Sequence, residues 1–570
     1  MYKRMLLIFL ILSTLQVPIG SIAASSISAN LVEATSTVTV ESMLNLELAK
    51  HRTAFSLADD TGVSAILQFE DELTPAEISF AETLGVNFKK RGNNVVHVGS
   101  FYAASVSDHA SLQDLSSLGL AHASSGSKQF YPALPSSVPS INAPDVWNNL
   151  ELDNQAIDGT GTRVAIIDTG AAWLHPSLWR SSTDELTILQ SGLDYYVDLD
   201  GDAVIDSNEG PINSVEGQTG SSFDYASDYM FIDIDDNGLF EYGEGDRWLG
   251  GVDADTDGYI SLTTENVVLL GESKVAVFYD QHSSNVYIRG VNLTDAIAVG
   301  DTNGHGTHVA STVAGGQPGM TSYVGVAPGA DLIIIRSPLD SSSVIDGVAF
   351  AIENDADVIN MSFSSYLGFL DGTDPEDMII TEAMLKNGTI STLAAGNLGG
   401  RPKHAYFEVP SSGDGSATLS VINPPDYSFL SLLWRSTDDD EHVVLSPPGG
   451  EDIDLGSFND ITGAPQHIET DNISAYVFPD TSDKGMNRLI VQVSDESHYW
   501  DRGSWRVSVT NPSGEDISVD AYAWDNSWTG SAMRFTSSID YTRTISSPGT
   551  ADLGVTVASY NEVTEQISDS

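Results

Sequence analysis

From Thr162 onward, β-branched apolar runs alternate with stretches of helical period. TRVAIID, ADLIIIRS, ADVINMSF, TISTLAAGN and LGVTVASYN are continuous apolar runs, the pattern of strands buried on both faces. GTHVASTVAGG, SSSVIDGVAFAIEND and PEDMIITEAMLKNG lie between them and read as helices. Strand and helix in alternation predict an α/β fold with a doubly wound, largely parallel sheet.

Before this core, VSAILQF reads as a strand. TPAEISFAETLG reads as a helix with Thr74 as N-cap, Pro75 at its first position, Glu77 closing a capping box and Gly85 as the stop. NVVHVGSFYAASV gives more strand, SDHASLQDLSSLG a second helix, and SKQFYPALP an extended exit into Pro/Ser-rich chain. These predict a small α+β domain over residues 63–140. Two segments interrupt the α/β core, assigned to 141–400 and 545–570. Residues 180–301 are acidic and turn-rich, and 401–544 hold short alternating strands such as LIVQVSD and WRVSVTNPSG, the pattern of an inserted β-sandwich.

Composition narrows the setting. With 24 basic against 80 acidic residues, the 570-residue chain has a formal net charge of −56, which argues against a nucleic-acid or anionic-membrane partner. Residues 1–24 combine Lys3 and Arg4, an apolar run from Met5 to Leu12 and small residues at Ser21, Ala23 and Ala24, the form of a secretory signal. No run reaches the roughly 20 apolar residues of a membrane span. The expected location is secreted or cell-surface, with 25–62 as linker. Cysteine is absent, so disulfides cannot stabilise an exported chain of this size. Bound ions are the expected substitute.

Functional residues of a parallel sheet gather beyond the carboxyl ends of its strands. Asp168 closes VAIID, His305 opens the helix in NGHGTHVAS, and Asn397 follows TLAAG. A carboxylate orienting an imidazole, with an amide donor nearby, suits acyl transfer from a hydroxyl nucleophile. The competing reading of His305 and His308 as a metal pair lacks the i,i+4 spacing and intervening glutamate of HExxH.

VAIIDTG, NGHGTHVAS, DVINMSF and LAAGN, in this order, resemble the Asp, His, substrate-strand and oxyanion-Asn blocks of the subtilisin-like serine proteases (subtilases, peptidase S8). DTG alone also occurs in aspartic proteases; the four ordered blocks carry the resemblance. It implies a subtilisin-like catalytic domain acting on polypeptide substrates, with Asp168 orienting His305 as general base and Asn397 binding the oxyanion. His308 would be a packing residue. Ser362, Phe363 and Ser364 would bind substrate, although Phe363, Ser364 and Ser365 replace the family's usual Leu-Gly-Gly. The 63–140 domain resembles the inhibitor-type prodomains of the family, which occupy the cleft in cis and are then cleaved, here between Tyr131 and Ile141. The 401–544 insert resembles the jelly roll of some clostridial germination proteases of the superfamily.

The family's nucleophile block, GTSMA-like, does not occur. TGSAM around Ser531 has the wrong order and context and reads as a decoy. The resemblance therefore places the serine beyond Ser570, and the chain to Ser570 is expected to be inactive alone. The alternatives are a noncatalytic secreted binding or scaffold protein on this fold and, from the histidine pair, a metallohydrolase.

The acidic segment has a chemistry of its own. DLDGDAVIDSNE puts Asp198, Asp200, Asp202, Asp206 and Glu209 at EF-hand ligand positions; DIDDNGLFEYGE does so with Asp233, Asp235, Asn237, Glu241 and Glu244. A third loop carries Asp253, Asp255 and Asp257, with Glu265 one residue late. Hard oxygens at these spacings predict structural calcium.

Overall fold

The computed structural model describes residues 39–41, 44, 48, 62–91, 94–107, 109–125, 131–132, 143–149, 151–152, 155–215, 220–225, 228–294, 300–318, 320, 324–422, 427–493, 499–525, 532–561 and 566–567, all within the unit Val38–Ser570. The signal-like residues 1–24, most of the 25–62 linker and Ser531 lie outside the described residues.

A seven-stranded sheet forms the centre. Its strands are β1 (Arg163–Asp168), β2 (Val275–Asp280), β3 (Asn285–Ile288), β4 (Asp331–Arg336), β5 (Val358–Met361), β6 (Ile390–Ala394) and β7 (Val555–Val557), in the order β3-β2-β4-β1-β5-β6-β7. Every neighbouring pair is parallel except the β2–β3 hairpin. The helices are α1 (His305–Ala314), α2 (Ser341–Glu353) and α3 (Pro375–Asn387).

Side chains alternate between the two faces of the sheet, and the faces have different cores. Ala165, Ile167, Ile333 and Ile335 pack with Val344, Val348 and Ile380 of α2 and α3. Val164, Ile166, Leu332 and Ile334 pack with Val309, Ala310 and Ala314 of α1. The β1 and β4 runs are apolar at successive positions because both of their faces are covered.

The five strands predicted in the core all form. The β2–β3 hairpin was not among them, since acidic composition placed 275–288 inside the 180–301 segment. Val275 and Phe278 are fully buried against the central sheet, so the segment returns to the core before its expected end. The rest of that segment includes a five-stranded antiparallel sheet, from Trp179–Glu185 through Val267–Ser273, Arg247–Gly251 and Met230–Ile232 to Ile212–Ser214.

Residues 63–125 form two helices and most of a small, mainly antiparallel sheet. The Thr74 hydroxyl accepts the Glu77 N–H at 3.4 Å and the Glu77 carboxylate accepts the Thr74 N–H at 2.8 Å, the reciprocal cap read from the sequence. Leu67, Phe69, Tyr102 and Ala104 cover Ala81, Leu112 and Leu115 of the module's own helical layer. Ile66, Val98, Phe101 and Ala103 enter the core of α2 and α3. Within 404–535, two antiparallel sheets share one apolar core that includes Trp434, Trp500 and Trp505.

Candidate active site and acidic loops

β1 delivers Asp168 at its carboxyl end, 1% exposed, and α1 begins at His305, 8% exposed. His305 Nδ1 lies 2.7 Å from Asp168 Oδ1, which also accepts the Thr169 N–H at 2.7 Å. Asp301 holds the helix mouth. Its Oδ2 accepts the Thr307 N–H at 2.8 Å and its Oδ1 accepts the Thr169 hydroxyl at 2.9 Å, while Gly306 N–H donates to the Thr169 hydroxyl at 3.0 Å. Burial alone would raise the Asp301 carboxyl, but donors from Thr307, the Gly304 backbone and Thr169 bring it below its ordinary value. Asp301 was absent from the sequence expectations, because it lies three residues ahead of the N-cap Gly304, outside the position at which a capping acid is read.

The backbone packs tightly here. A Cβ built on Gly306 would lie 2.1 Å from the Gly170 carbonyl oxygen, so only glycine lets α1 approach the turn after β1. At the other end of α1, the buried Lys274 ammonium donates to the carbonyls of Ala314, at 2.6 Å, and Gly316. Burial, with repulsion from Arg180, pulls the Lys274 ammonium down to about 7. His308 is exposed, not packed as the resemblance implied.

β5 and β6 run parallel to β1, so Ser362–Ser364 and Asn397 follow the same sheet edge that ends in Asp168. Asn397 is partly exposed. The turn before it is closed by Gly396, with φ 109°, where a Cβ would meet the Tyr366 hydroxyl at 2.2 Å. Phe363 and Ser364 are both 0% exposed, so their side chains are closed to solvent. Their backbone pairs antiparallel with residues 131–132, Phe363 opposite Pro132 and Ser364 opposite Tyr131. Ser362 is partly exposed, and its hydroxyl accepts the Asn360 side-chain amide at 2.9 Å.

The three acidic loops share one conformation. Position six is left-handed in each, with φ 60° at Ala203, 80° at Gly238 and 93° at Gly258. The first acid accepts that residue's N–H, at 3.1 Å to Asp198, 2.8 Å to Asp233 and 3.1 Å to Asp253. Carboxylate oxygens gather within 4.8 Å as Asp198, Asp200 and Glu209; Asp233, Asp235 and Asp246; and Asp253, Asp255 and Glu265. In the second loop Asp246 thus takes the place expected for Glu244, which is exposed on a short 3-10 turn. Asp202 and Asp257 accept N–H groups of their own loops, from Val204 and Tyr259, both at 2.8 Å. Asp206 likewise accepts from Asn208, and the Asn237 amide bridges Asp235 and Glu241. Burial chiefly, reinforced by Asp233 and Asp235, raises the Asp246 carboxyl despite N–H donors from Ile234 and Glu241. An oxygen-only donor set with convergent negative charge fits a hard divalent cation.

Comparison with known proteins bears on residues 159–428, which match the Subtilase family (peptidase S8). Pyrolysin of Pyrococcus furiosus is 26% identical over 353 residues, 46% of this chain and 25% of pyrolysin. The major intracellular serine protease of Bacillus subtilis is 34% identical over 177 residues, 29% of this chain and 52% of that protein. The chain therefore spans about a quarter and about half of these relatives. The structure of the Clostridium perfringens CspB protease shares the fold, with a TM-score of 0.50 at 16% identity, covering 76% of this chain and 75% of that one. No helix among the described residues is long and apolar enough to cross a membrane. Over residues 159–428, the chain is thus similar to the subtilase family.

Proposed function

We propose that the chain is the precursor of an exported, calcium-stabilised serine endopeptidase. The observation that carries this reading is the buried Asp168–His305 contact of 2.7 Å beside a strand edge already paired with an extended segment. With Nδ1 turned to Asp168, Nε2 is the ring nitrogen that takes the proton of a serine hydroxyl as its oxygen attacks the scissile carbonyl carbon. Asn397 donates to the oxyanion. His305 then returns the proton to the leaving amine, and water hydrolyses the acyl-enzyme by the reverse proton path. No residue up to Ser570 is assigned as the nucleophile.

Substrate binds as an added antiparallel strand on the backbone of Ser362–Ser364. Residues 63–140 act as the inhibitory prodomain, their exit through Tyr131–Pro132 occupying that edge in the manner of a substrate. Residues 401–544 are an inserted jelly-roll-like sandwich. Calcium in the acidic loops would be held by Asp198, Asp200 and Glu209, by Asp233, Asp235 and Asp246, and by Asp253, Asp255 and Glu265, where its charge offsets their repulsion.

The test has two steps. The coding sequence past Ser570 should continue in frame into a GTSMA-like block. The full-length product should then be labelled by a serine-directed fluorophosphonate, and His305→Ala should abolish the labelling. Labelling that survives this substitution overturns the assignment.

A further inference from the structure

A fourth group of acidic oxygens lies far from the three loops in sequence, where the chain crosses from one sheet of the 404–535 module to the other. Residues 436–441 (STDDDE) connect the strand Ser428–Trp434 of one sheet to His442–Ser446 of the second. One carboxylate oxygen from each of Asp438, Asp440 and Glu441 lies within 4.8 Å of the others. Some other buried carboxylates have cationic partners, as Asp525 has Lys403, Asp480 has Arg488 and Asp346 has Arg91. Among the described residues, no lysine, arginine or histidine pairs with Asp438, Asp440 or Glu441.

Glu441 decides the matter. It is 0% exposed; Oε2 accepts the Trp434 indole N–H at 3.1 Å, and Oε1 is buried with no hydrogen-bond partner among the described residues. Asp440 Oδ1 is buried and unpartnered in the same way. Water is excluded from both oxygens and no described residue supplies a donor, so keeping these groups ionised is costly and a cation between them would offset that cost. The Ser513 hydroxyl, 2.6 Å from Asp440 Oδ2 and 2.9 Å from Asp438 Oδ2, adds a neutral oxygen at the rim.

We propose that Asp438, Asp440 and Glu441 hold a divalent cation, and that it is calcium. The donors are all oxygen, with no histidine or cysteine to favour zinc, and an irregular set of carboxylates and hydroxyl suits calcium's variable coordination. The ion pins the crossover. The Glu441 carbonyl accepts the Phe458 N–H at 2.8 Å, and the Asp439 carboxylate accepts the Asn487 side-chain amide at 2.6 Å, so the segment ties the helical turn Phe458–Ile461 to the strand Asn487–Val493.

Equilibrium dialysis of the full chain against radioactive calcium tests the site, comparing wild type with the double variant Asp440→Asn/Glu441→Gln. The double variant should bind one ion fewer per chain at saturation, with the remaining ions held at wild-type affinity. Equal stoichiometry and affinities in the two proteins overturn the proposal. If the double variant does not fold, terbium emission excited through indole decides it. Wild type should show a component that Trp434→Phe lacks, because Trp434 touches the site, and identical emission overturns the proposal.

Discussion

Gly306 meets Gly170 so closely that a single added carbon would sit 2.1 Å from the Gly170 carbonyl oxygen. The glycine between His305 and Thr307 therefore sets how far α1 enters the turn after β1. Gly306→Ala should push the helix away, open the 2.7 Å Asp168–His305 contact and destabilise the fold by about 1–3 kcal/mol. In the full-length enzyme, fluorophosphonate labelling should slow by on the order of 100-fold, the scale of a misplaced catalytic group.

Asp301 anchors the same helix from the other side, and Asp301→Ala should cost about 1 kcal/mol at neutral pH. Its folded carboxyl titrates below the ordinary value. The stabilisation is therefore complete above the unfolded carboxylate range and lost as pH falls through the folded value. Urea unfolding should show wild type and variant separated at pH 7 and converging in acid.

Lys274 titrates in the opposite sense. The folded ammonium is held at about 7 against an ordinary 10.5, so between these values the unfolded chain binds more protons and stability rises with pH. Below about 7 both states are charged and the burial cost is at its largest. Lys274→Met should remove this share of the slope, read as the difference between wild type and variant in urea midpoints at pH 7 and pH 9.5. It should also leave the Ala314 and Gly316 carbonyls short of a donor, at about 1–3 kcal/mol.

Calcium chelation should lower the melting temperature, and excess calcium should restore it. Ala203 holds a left-handed position that Gly238 and Gly258 fill in the sister loops. Ala203→Gly should therefore stabilise the first loop by about 1 kcal/mol, seen as a small rise in melting temperature.

Much of this architecture was readable locally. The Thr74–Glu77 cap, the β1 and β4 runs and the Asp168–His305 pairing follow from residue type, period and ordered motifs. What escaped was set by contacts distant in sequence. Asp246 replaces Glu244 because the second loop closes through a buried acid two residues past the EF-hand position, immediately before the strand Arg247–Gly251. The β2–β3 hairpin was hidden by acidic neighbours, and the burial of Phe363 by its place within the expected substrate-binding strand. Asp438, Asp440 and Glu441 were missed because consecutive acids carry no alternating ligand pattern.

Asp346 of α2 shows how deeply the 63–125 module is built into the core. The carboxylate is 0% exposed, its neutral partners Tyr279 and Gln281 come from β2 and the residue after it, and both its cations, Lys89 and Arg91, come from the module. A chain folding without those residues would have to close α2 over an unneutralised charge and leave its apolar neighbours wet. Among the described residues, the charge of Asp346 is thus met only from outside the α/β core, so Lys89 and Arg91 join the module to α2 by charge as well as by apolar packing.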